Sequence, residues 1–375
     1  MTHLLHRGGL VTALSRTRVL RVEGPDALKF LQGIFTNDVH GLKTRGDVRY
    51  GAFLSHKGRT LTDAEVVLHE TDALFLKVDA AAEEDMLKHL KKYKLRSKVT
   101  ISAAHDYVRA HAILPSLADP TATPFLPSWT ADQNETHRDG VVYVDPRSAA
   151  FGSTAILPVE HASCTSLVMH CVGSHLSGFR VVDIPSEYVV AEDEDVGDLA
   201  AQDRRIVLGA CSGLEWRDGI PLEYNLDLLH GVSMTKGCYV GQELISRTHY
   251  KGNIRKRTLP CLVVPVAAEV DMPPPPFPFG SSGSLDASAG LAWATQHLTA
   301  VAPPVEVDTK LMAHDAAAGK IVAVATGVNA VVAMVRLEHL NCGNIVTDDG
   351  RFRLLPYSPA WWPALNLNTG KLLSS

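Results

Sequence analysis

No stretch of this chain stays apolar for anything near the roughly 20 residues that a membrane-spanning helix requires. Cysteine is scarce and scattered, with only Cys164, Cys171, Cys211, Cys238, Cys261 and Cys342 in 375 residues. Such spacing builds no disulfide framework and points to a reducing compartment. A large excess of charge is missing too. The formal net charge of −5 sets up no global basic field, which argues against nucleic acid as a partner. No internal period of the kind that marks a solenoid occurs. Acidic residues are absent from the first 22 positions, which hold Arg7, Arg16, Arg18 and Arg21. That arginine-rich, acid-poor start is similar to an organelle presequence, so residues 1–16 are expected to be a presequence remnant or a disordered terminus.

What is present is an ordinary globular composition, 46% hydrophobic and 21% charged, in a chain long enough for two or three domains. Thr17 to Val22 alternates as a strand does. Gly24-Pro25 then opens a helix whose apolar residues Ala27, Phe30, Leu31 and Ile34 fall on one face. Strand patterns at Tyr50–Leu54, Leu61–Leu68 and Ala73–Val78, a helix from about Ala80 to Tyr93, and strands at Lys98–Ala103 and Val108–Leu114 make an α+β unit. Residues 115–140, rich in Pro, Thr, Ser and Asp, read as a surface insertion. Strands follow at Val141–Val144 and Phe179–Asp183. The acidic run Glu192–Asp195 is placed at the start of a helix, where carboxylates oppose the positive dipole end. Residues 271–290 read as a long loop. Beyond them Leu291–Thr295, Val305–Met312, Ile321–Thr326, Val331–Leu337 and Arg351–Leu355 are β-like, which predicts a small C-terminal barrel or sandwich.

The segment from Thr235 to Ser246, TKGCYVGQELIS, carries the most chemistry. Gly237 and Gly241 let the backbone turn on both sides of Cys238. Gln242 to Tyr250 then reads as a short helix, with Glu243 in its first turn and Arg247, His249 and Lys251 at its end. Cys238 is thus expected just before a helix N-terminus and near Lys236, two features that favour a thiolate. On these residues alone a functional thiol and a packed one are equally good readings. A second group, His161, Cys164, His170, Cys171 and His175, has the donor types of a zinc site but no finger-like spacing, and is assigned to packing. Cys211, Cys261 and Cys342 read as core or surface thiols, and Trp361-Trp362 as packing against the barrel.

Lys236-Gly237-Cys238-Tyr239-Val240-Gly241-Gln242-Glu243 resembles the KGCYxGQE signature of the YgfZ family, whose members resemble the folate-binding T-protein of the glycine cleavage system. Val22–Asp26, Phe30–Gly33 with Thr36-Asn37-Asp38, Tyr50–Leu54 with Lys57-Gly58-Arg59, and Val331–Glu338 resemble other blocks of that family, so the likeness runs from about Arg18 to Leu340. The resemblance implies an α+β, GcvT-like multidomain fold. Two mixed α/β domains in residues 17–257 would surround a central cleft, and residues 258–375 would form a small β-barrel. It also implies a mitochondrial-matrix assembly factor for four-iron, four-sulfur proteins. Cys238 would then serve as reactive thiolate or cluster ligand, sharing an iron–sulfur cluster with A-type scaffold proteins. Lys236 would lower the thiol pKa, and Gly237, Gly241, Gln242 and Glu243 would shape the site. In the T-protein-like relatives a glutamate contacts the pterin of tetrahydrofolate, and Glu223 matches it here, with Asn225 and Asp227 on the same wall. A folate-dependent one-carbon transferase is the alternative; no motif here matches its catalytic aspartate, and Asp38 and Asp63 are candidate acids or bases only as polar residues in matching blocks. A cysteine hydrolase pairing Cys238 with His249 or His230 is the third. The insertions at 115–140 and 271–290 have no counterpart in the family pattern, and Val240 stands where isoleucine is usual.

Overall fold

In the computed structural model the first strand comes earlier than the sequence predicts. The structure describes residues 9–104, 108–115, 117, 140–159, 189–191, 193–270, 287–340, 342–359, 361–363, 365–366 and 368–372. Leu10–Ala13 form β1, inside the stretch expected to be a presequence remnant or disordered terminus. Their side chains are all buried, and apolar burial of that kind is what orders a terminal segment.

Two five-stranded sheets follow. The strands β2 (Thr17–Glu23), β3 (Val48–Leu54), β4 (Thr60–Glu70), β5 (Ala73–Asp79) and β6 (Thr100–Ala103) make an antiparallel sheet in the order β3-β4-β5-β2-β6. The second has the order β10-β1-β7-β9-β8, from β7 (Val108–Leu114), β8 (Val141–Val144), β9 (Ser153–Pro158) and β10 (Val189–Val190). The short helix α1 (Ala27–Gln32) buries Ala27, Phe30 and Leu31 against the first sheet, sharing a core with Met86 and Leu90 of α2 (Glu83–Lys94). The helix α3 (Glu194–Val207) starts where the acidic run predicts. Asp193 caps it by accepting the amides of Asp195 and Val196. Ile206 and Val207 at its end enter the largest core, which also holds Trp216, Leu222, Ile245 and barrel residues such as Val332.

The third unit is a closed barrel, β11-β14-β13-β12-β15-β16. It is built from β11 (Lys256–Pro265), β12 (Lys310–Ala313), β13 (Ala316–Val324), β14 (Ala330–Arg336), β15 (Ile345–Thr347) and β16 (Phe352–Pro356). A last hairpin pairs β17 (Leu365–Asn366) with β18 (Lys371–Leu372). Between β11 and β12 the predicted strand Leu291–Thr295 is instead part of a helix, Ala287–His297. A five-residue apolar run has no period that separates strand from helix, and the alanines around it favour the helix. The helix also takes the last four residues of the predicted loop 271–290. Of the predicted strand Val305–Met312 only the last three residues are extended, in a strand that runs from Lys310 to Ala313. Phe179–Asp183 and the His161–His175 group lie outside the described residues, as does most of 115–140. Trp362 is buried in the barrel's cluster, and Trp361 packs beside it while its indole N–H reaches Leu208 O at 2.7 Å.

Candidate functional site

The segment from Gly231 to Gly241 has no helical or strand ladder of its own, so its backbone groups find partners elsewhere. They find them at residues 32–37, just past α1. Thr36 Oγ1 donates to Gly231 O at 2.7 Å and accepts the Ala52 amide at 2.8 Å. Asn37 Nδ2 donates to both Tyr50 O and His230 O at 2.7 Å. Ser233 N–H reaches Thr36 O, and Val240 N–H reaches Gly33 O at 3.0 Å. These contacts join two neighbouring blocks, at 32–37 and 50–52, to a third that lies almost 200 residues further along the chain.

Lys236 completes the strap. Its ammonium donates to Gln32 O, Phe35 O and Asn37 O at 2.8, 2.7 and 2.8 Å and lies 4.9 Å from the Tyr239 ring centre. Burial pulls its pKa down to about 8, which still leaves it charged at neutral pH. All three N–H donors are therefore spent on carbonyl oxygens, and none is left for a sulfur. This corrects the expectation that Lys236 acts on the thiol: it holds the loop instead.

Cys238 is free and exposed at the outer edge of that loop. It lies three residues ahead of Gly241, the N-cap of helix α4 (Gln242–Tyr250), and so outside the helix's first turn. Gly241 has φ +82, and a Cβ there would come within 2.6 Å of Ser55 O and 2.8 Å of Leu54 Cβ. Only glycine allows this turn and this approach. Gly58, in the β3–β4 hairpin, is its counterpart, with Leu244 Cβ and Gly241 O at 2.5 and 2.7 Å from where its own Cβ would be. Gly237 differs from both. Its φ is not in the left-handed region, and a Cβ there would meet nothing within 4 Å. The chain therefore uses no glycine-specific conformation at Gly237, and the space beside Cys238 is open. Gln242 Oε1 accepts the Tyr239 amide at 3.1 Å, so it fixes the cysteine's neighbour. Glu243 points to solvent from the first turn of α4.

The expected folate wall divides into parts with different jobs. Glu223 sits in a 3-10 turn, Pro221–Tyr224, half-buried and 3.3 Å from Lys256 Nζ. Burial raises its pKa and Lys256 opposes the rise. Asn225 is wholly buried, with Nδ2 donating to Thr258 O and Oγ1 at 2.8 and 2.9 Å and Oδ1 accepting from Arg257 at 3.1 Å. Arg257, also fully buried, forms a fork with Asp227 at 2.9 and 2.8 Å and reaches Leu222 O and Gly370 O. Asn225 and Asp227 are thus consumed in fastening the barrel's first strand to the segment ahead of the cysteine loop. Neither lines a ligand wall as expected, because a buried guanidinium needs every acceptor within reach.

A second place on the molecule, missed from sequence apart from Asp63, is a chamber of about 150 Å³ between the two sheets and α3. Tyr50 and Lys77 flank Glu65 across neighbouring strands. Glu65 accepts from Lys77 at 2.8 Å and from the Tyr143 hydroxyl at 2.7 Å. Arg147 forks onto Asp145 at 2.9 and 2.6 Å and lies over the rings of Tyr50 and Phe151. Asp63 accepts from Tyr50 Oη at 3.1 Å and from Gly213 N at 2.7 Å. Burial lifts its pKa to about 6, with Arg147 opposing. The signal that was there to read is Asp63 and Glu65 two apart in one buried strand, hence on one face. Asp38 is elsewhere, capping a 3-10 turn through its contacts with His40 N and Gln32 Nε2.

Among the described residues no hydrogen bond links Cys238 to His230 or His249, so the dyad of a cysteine hydrolase is not assembled. Nor do the described residues contain a group of three metal-ligating side chains. Cys211 and Cys261 are buried and Cys342 is half-buried. For Cys211 and Cys261, burial holds the thiol pKa far above its usual value.

Comparison with known proteins places these features. Residues 4–157 match the family described as GCVT N-terminal domain. An iron-sulfur cluster assembly factor IBA57 homolog, mitochondrial, of Dictyostelium discoideum is 32% identical over 277 residues, which is 68% of this chain and 62% of that protein. The Neurospora crassa homolog is 30% identical over 71% of this chain and 56% of its own length. The Homo sapiens protein is 32% identical over 64% and 63%. The matched region is thus less than two thirds of the length of these relatives. In three dimensions, the glycine cleavage system aminomethyltransferase T of Bartonella henselae superposes with a TM-score of 0.62 at 16% identity, over 96% of this chain and 88% of that one. The GcvT-like fold, with mixed sheets and a closed barrel, follows from that likeness.

Proposed function

Since this chain is a member of the T-protein-like family, on the branch that holds the IBA57 proteins, we propose that it is an iron–sulfur cluster assembly factor of the mitochondrial matrix. The cluster is its cargo, destined for four-iron, four-sulfur proteins, and it is shared with an A-type scaffold protein. The observation that carries this reading is Cys238 itself, exposed, free and displayed at the edge of a loop held by Thr36, Asn37 and Lys236. A thiol kept for packing is buried, as Cys211 and Cys261 are. One thiolate supplies only one of the roughly four ligands that a cluster needs, so a partner supplies the others. The open space over Gly237 lets that partner approach the sulfur. The chain's part is to hold the ligand still and to release it when the partner departs. Anaerobic co-purification with an A-type scaffold protein, with iron and sulfide assays, tests this. Bound iron in the wild-type complex that is lost in Cys238→Ala supports the proposal, and iron retained at the wild-type level rejects it.

A folate-dependent transferase is the second reading, and the buried Asp63 is what favours it. Against it, both Asp63 oxygens already accept hydrogen bonds, and 150 Å³ is below the roughly 300 Å³ at which small-molecule pockets begin. The chamber around Asp63 therefore does not fit tetrahydrofolate as a resident group. Titration with tetrahydrofolate decides the matter: saturable binding that weakens in Glu223→Ala restores the transferase reading.

A further inference from the structure

Beside the cysteine loop runs a groove of about 720 Å³ between the end of α1 and the end of α2. Its lining is of two kinds. Phe30, Ile34, Tyr93 and Val240 supply apolar surface, and Lys29 and Arg96 supply positive charge beside one carboxylate, Asp26, which already accepts the Lys98 amide at 2.7 Å. Val240 is two residues from Cys238 and is pinned to Gly33 by its amide, so groove and cysteine share one rigid support.

Two observations say what the groove takes. The first is charge. From Lys88 to Lys98 the chain has six basic residues and no acid, in a protein whose net charge is −5. Lys88 pairs with Glu84. Among the described residues, neither Lys29 nor any of Lys91, Lys92, Lys94, Arg96 and Lys98 has a carboxylate in ion-pair range. The acids of α2 sit at its other end, at Glu83, Glu84 and Asp85. The second observation is Leu95, at the end of α2. It has φ +46 and ψ −115, a backbone region that suits glycine and strains leucine. Its side chain is 84% exposed. Nothing within the described fold repays either cost, whereas an apolar side chain held next to a concave apolar surface does serve a bound segment.

We infer that this groove docks an acidic segment of the partner protein that shares the cluster, one that carries carboxylates beside one or two apolar side chains. The inference rests on the assembly reading above and adds to it a docking site separate from the sulfur ligand. A concave surface of this kind fits a polypeptide better than it fits a flat lipid headgroup layer. Docking here brings the partner's thiolates alongside Cys238, whereas a cluster-bridging cysteine alone gives no orientation.

The test compares full-length wild type with Lys29→Glu, Arg96→Glu, Leu95→Gly and Cys238→Ser for binding to a purified A-type scaffold protein and to a short labelled peptide of alternating glutamate and leucine. The charge reversals are expected to weaken both by about tenfold at low salt, with the difference shrinking as salt rises. Leu95→Gly should weaken binding while its melting temperature holds or rises, since glycine suits that backbone; a residue kept for the fold would do the reverse. Cys238→Ser should dock normally without holding iron. Equal binding by wild type and the groove variants overturns this inference and leaves the assembly reading standing. Failure of the wild type to bind the scaffold overturns both. A third arm uses phosphatidylcholine vesicles containing phosphatidylserine: reversals that abolish vesicle binding but spare the scaffold make the groove a lipid contact and reject the proposal.

Discussion

Asp63 and Lys236 both carry charge into partly dry surroundings, and their partners decide opposite roles for them. Burial gives Asp63 a folded-state pKa of about 6 against an ordinary 3.8, so the folded chain holds that proton more tightly than the unfolded chain. The resulting stabilisation is complete below about 3.8 and is lost as pH rises through 6. Asp63→Asn cannot ionise and keeps an oxygen for the Gly213 amide. Its stability relative to wild type should therefore climb between pH 4 and 6, by on the order of 3 kcal/mol, as read from denaturant melts at each pH. A flat difference across that window contradicts the assignment. Lys236 spends its three donors on the carbonyls of residues 32, 35 and 37. Lys236→Met leaves those acceptors short of partners, at a cost of about 1–3 kcal/mol. Hydrogen exchange at the Val240 amide should quicken in that variant, and unchanged protection would show that the lysine does not hold the loop. The lysine's proximity in sequence suggested a thiol partner. Only the position of residues 32–37 in space, which no local pattern encodes, shows where its donors go.

At the scale of elements, α4 and the β3–β4 hairpin meet through two glycines, Gly241 and Gly58, with no room for a side chain at either. Gly241→Ala forces a methyl group against Ser55 O and strains a left-handed φ, which should cost roughly 1–3 kcal/mol. The matching Gly237→Ala should cost almost nothing, since its Cβ would stand in open space. Thermal melts of the two variants give a direct comparison, and equal losses would contradict the packing described. The two positions look alike in the string KGCYVGQE, where each is a glycine free to turn. The difference lies in what packs against each, a tertiary fact. Elements with strong periodicity or capping were legible, such as α3 behind Asp193 and the strands of the first sheet. The short apolar run at Leu291–Thr295 was not, because five residues carry too little period to choose between helix and strand. Leu10–Ala13 was missed for a different reason, since a basic, acid-free setting masked a strand that the second sheet buries.

For the whole molecule, the barrel joins the rest through the shared apolar core and through a polar latch at Arg257. This one buried side chain gathers Leu222 O, Asn225, Asp227 and Gly370 O, from the segment before the cysteine loop and from the C-terminal turn. Arg257→Leu strands these acceptors and should destabilise the protein by roughly 3 kcal/mol, with the barrel loosening from the sheets in hydrogen exchange. The likeness of spaced blocks to a known family made the barrel and the two sheets foreseeable. The latch was not foreseeable, for Asn225 and Asp227 resemble ligand residues until their partner is seen.

The central claim is that Cys238 is a ligand to a cluster completed by a second protein. Visible circular dichroism of the complex with an A-type scaffold protein, reconstituted anaerobically with iron and sulfide, tests it most directly, because the cluster's bands change with each thiolate that binds it. Wild type should give bands absent from the scaffold alone, and Cys238→Ser should dock yet return the spectrum of the scaffold alone. Identical bands and equal iron content in wild type and Cys238→Ser would contradict the account.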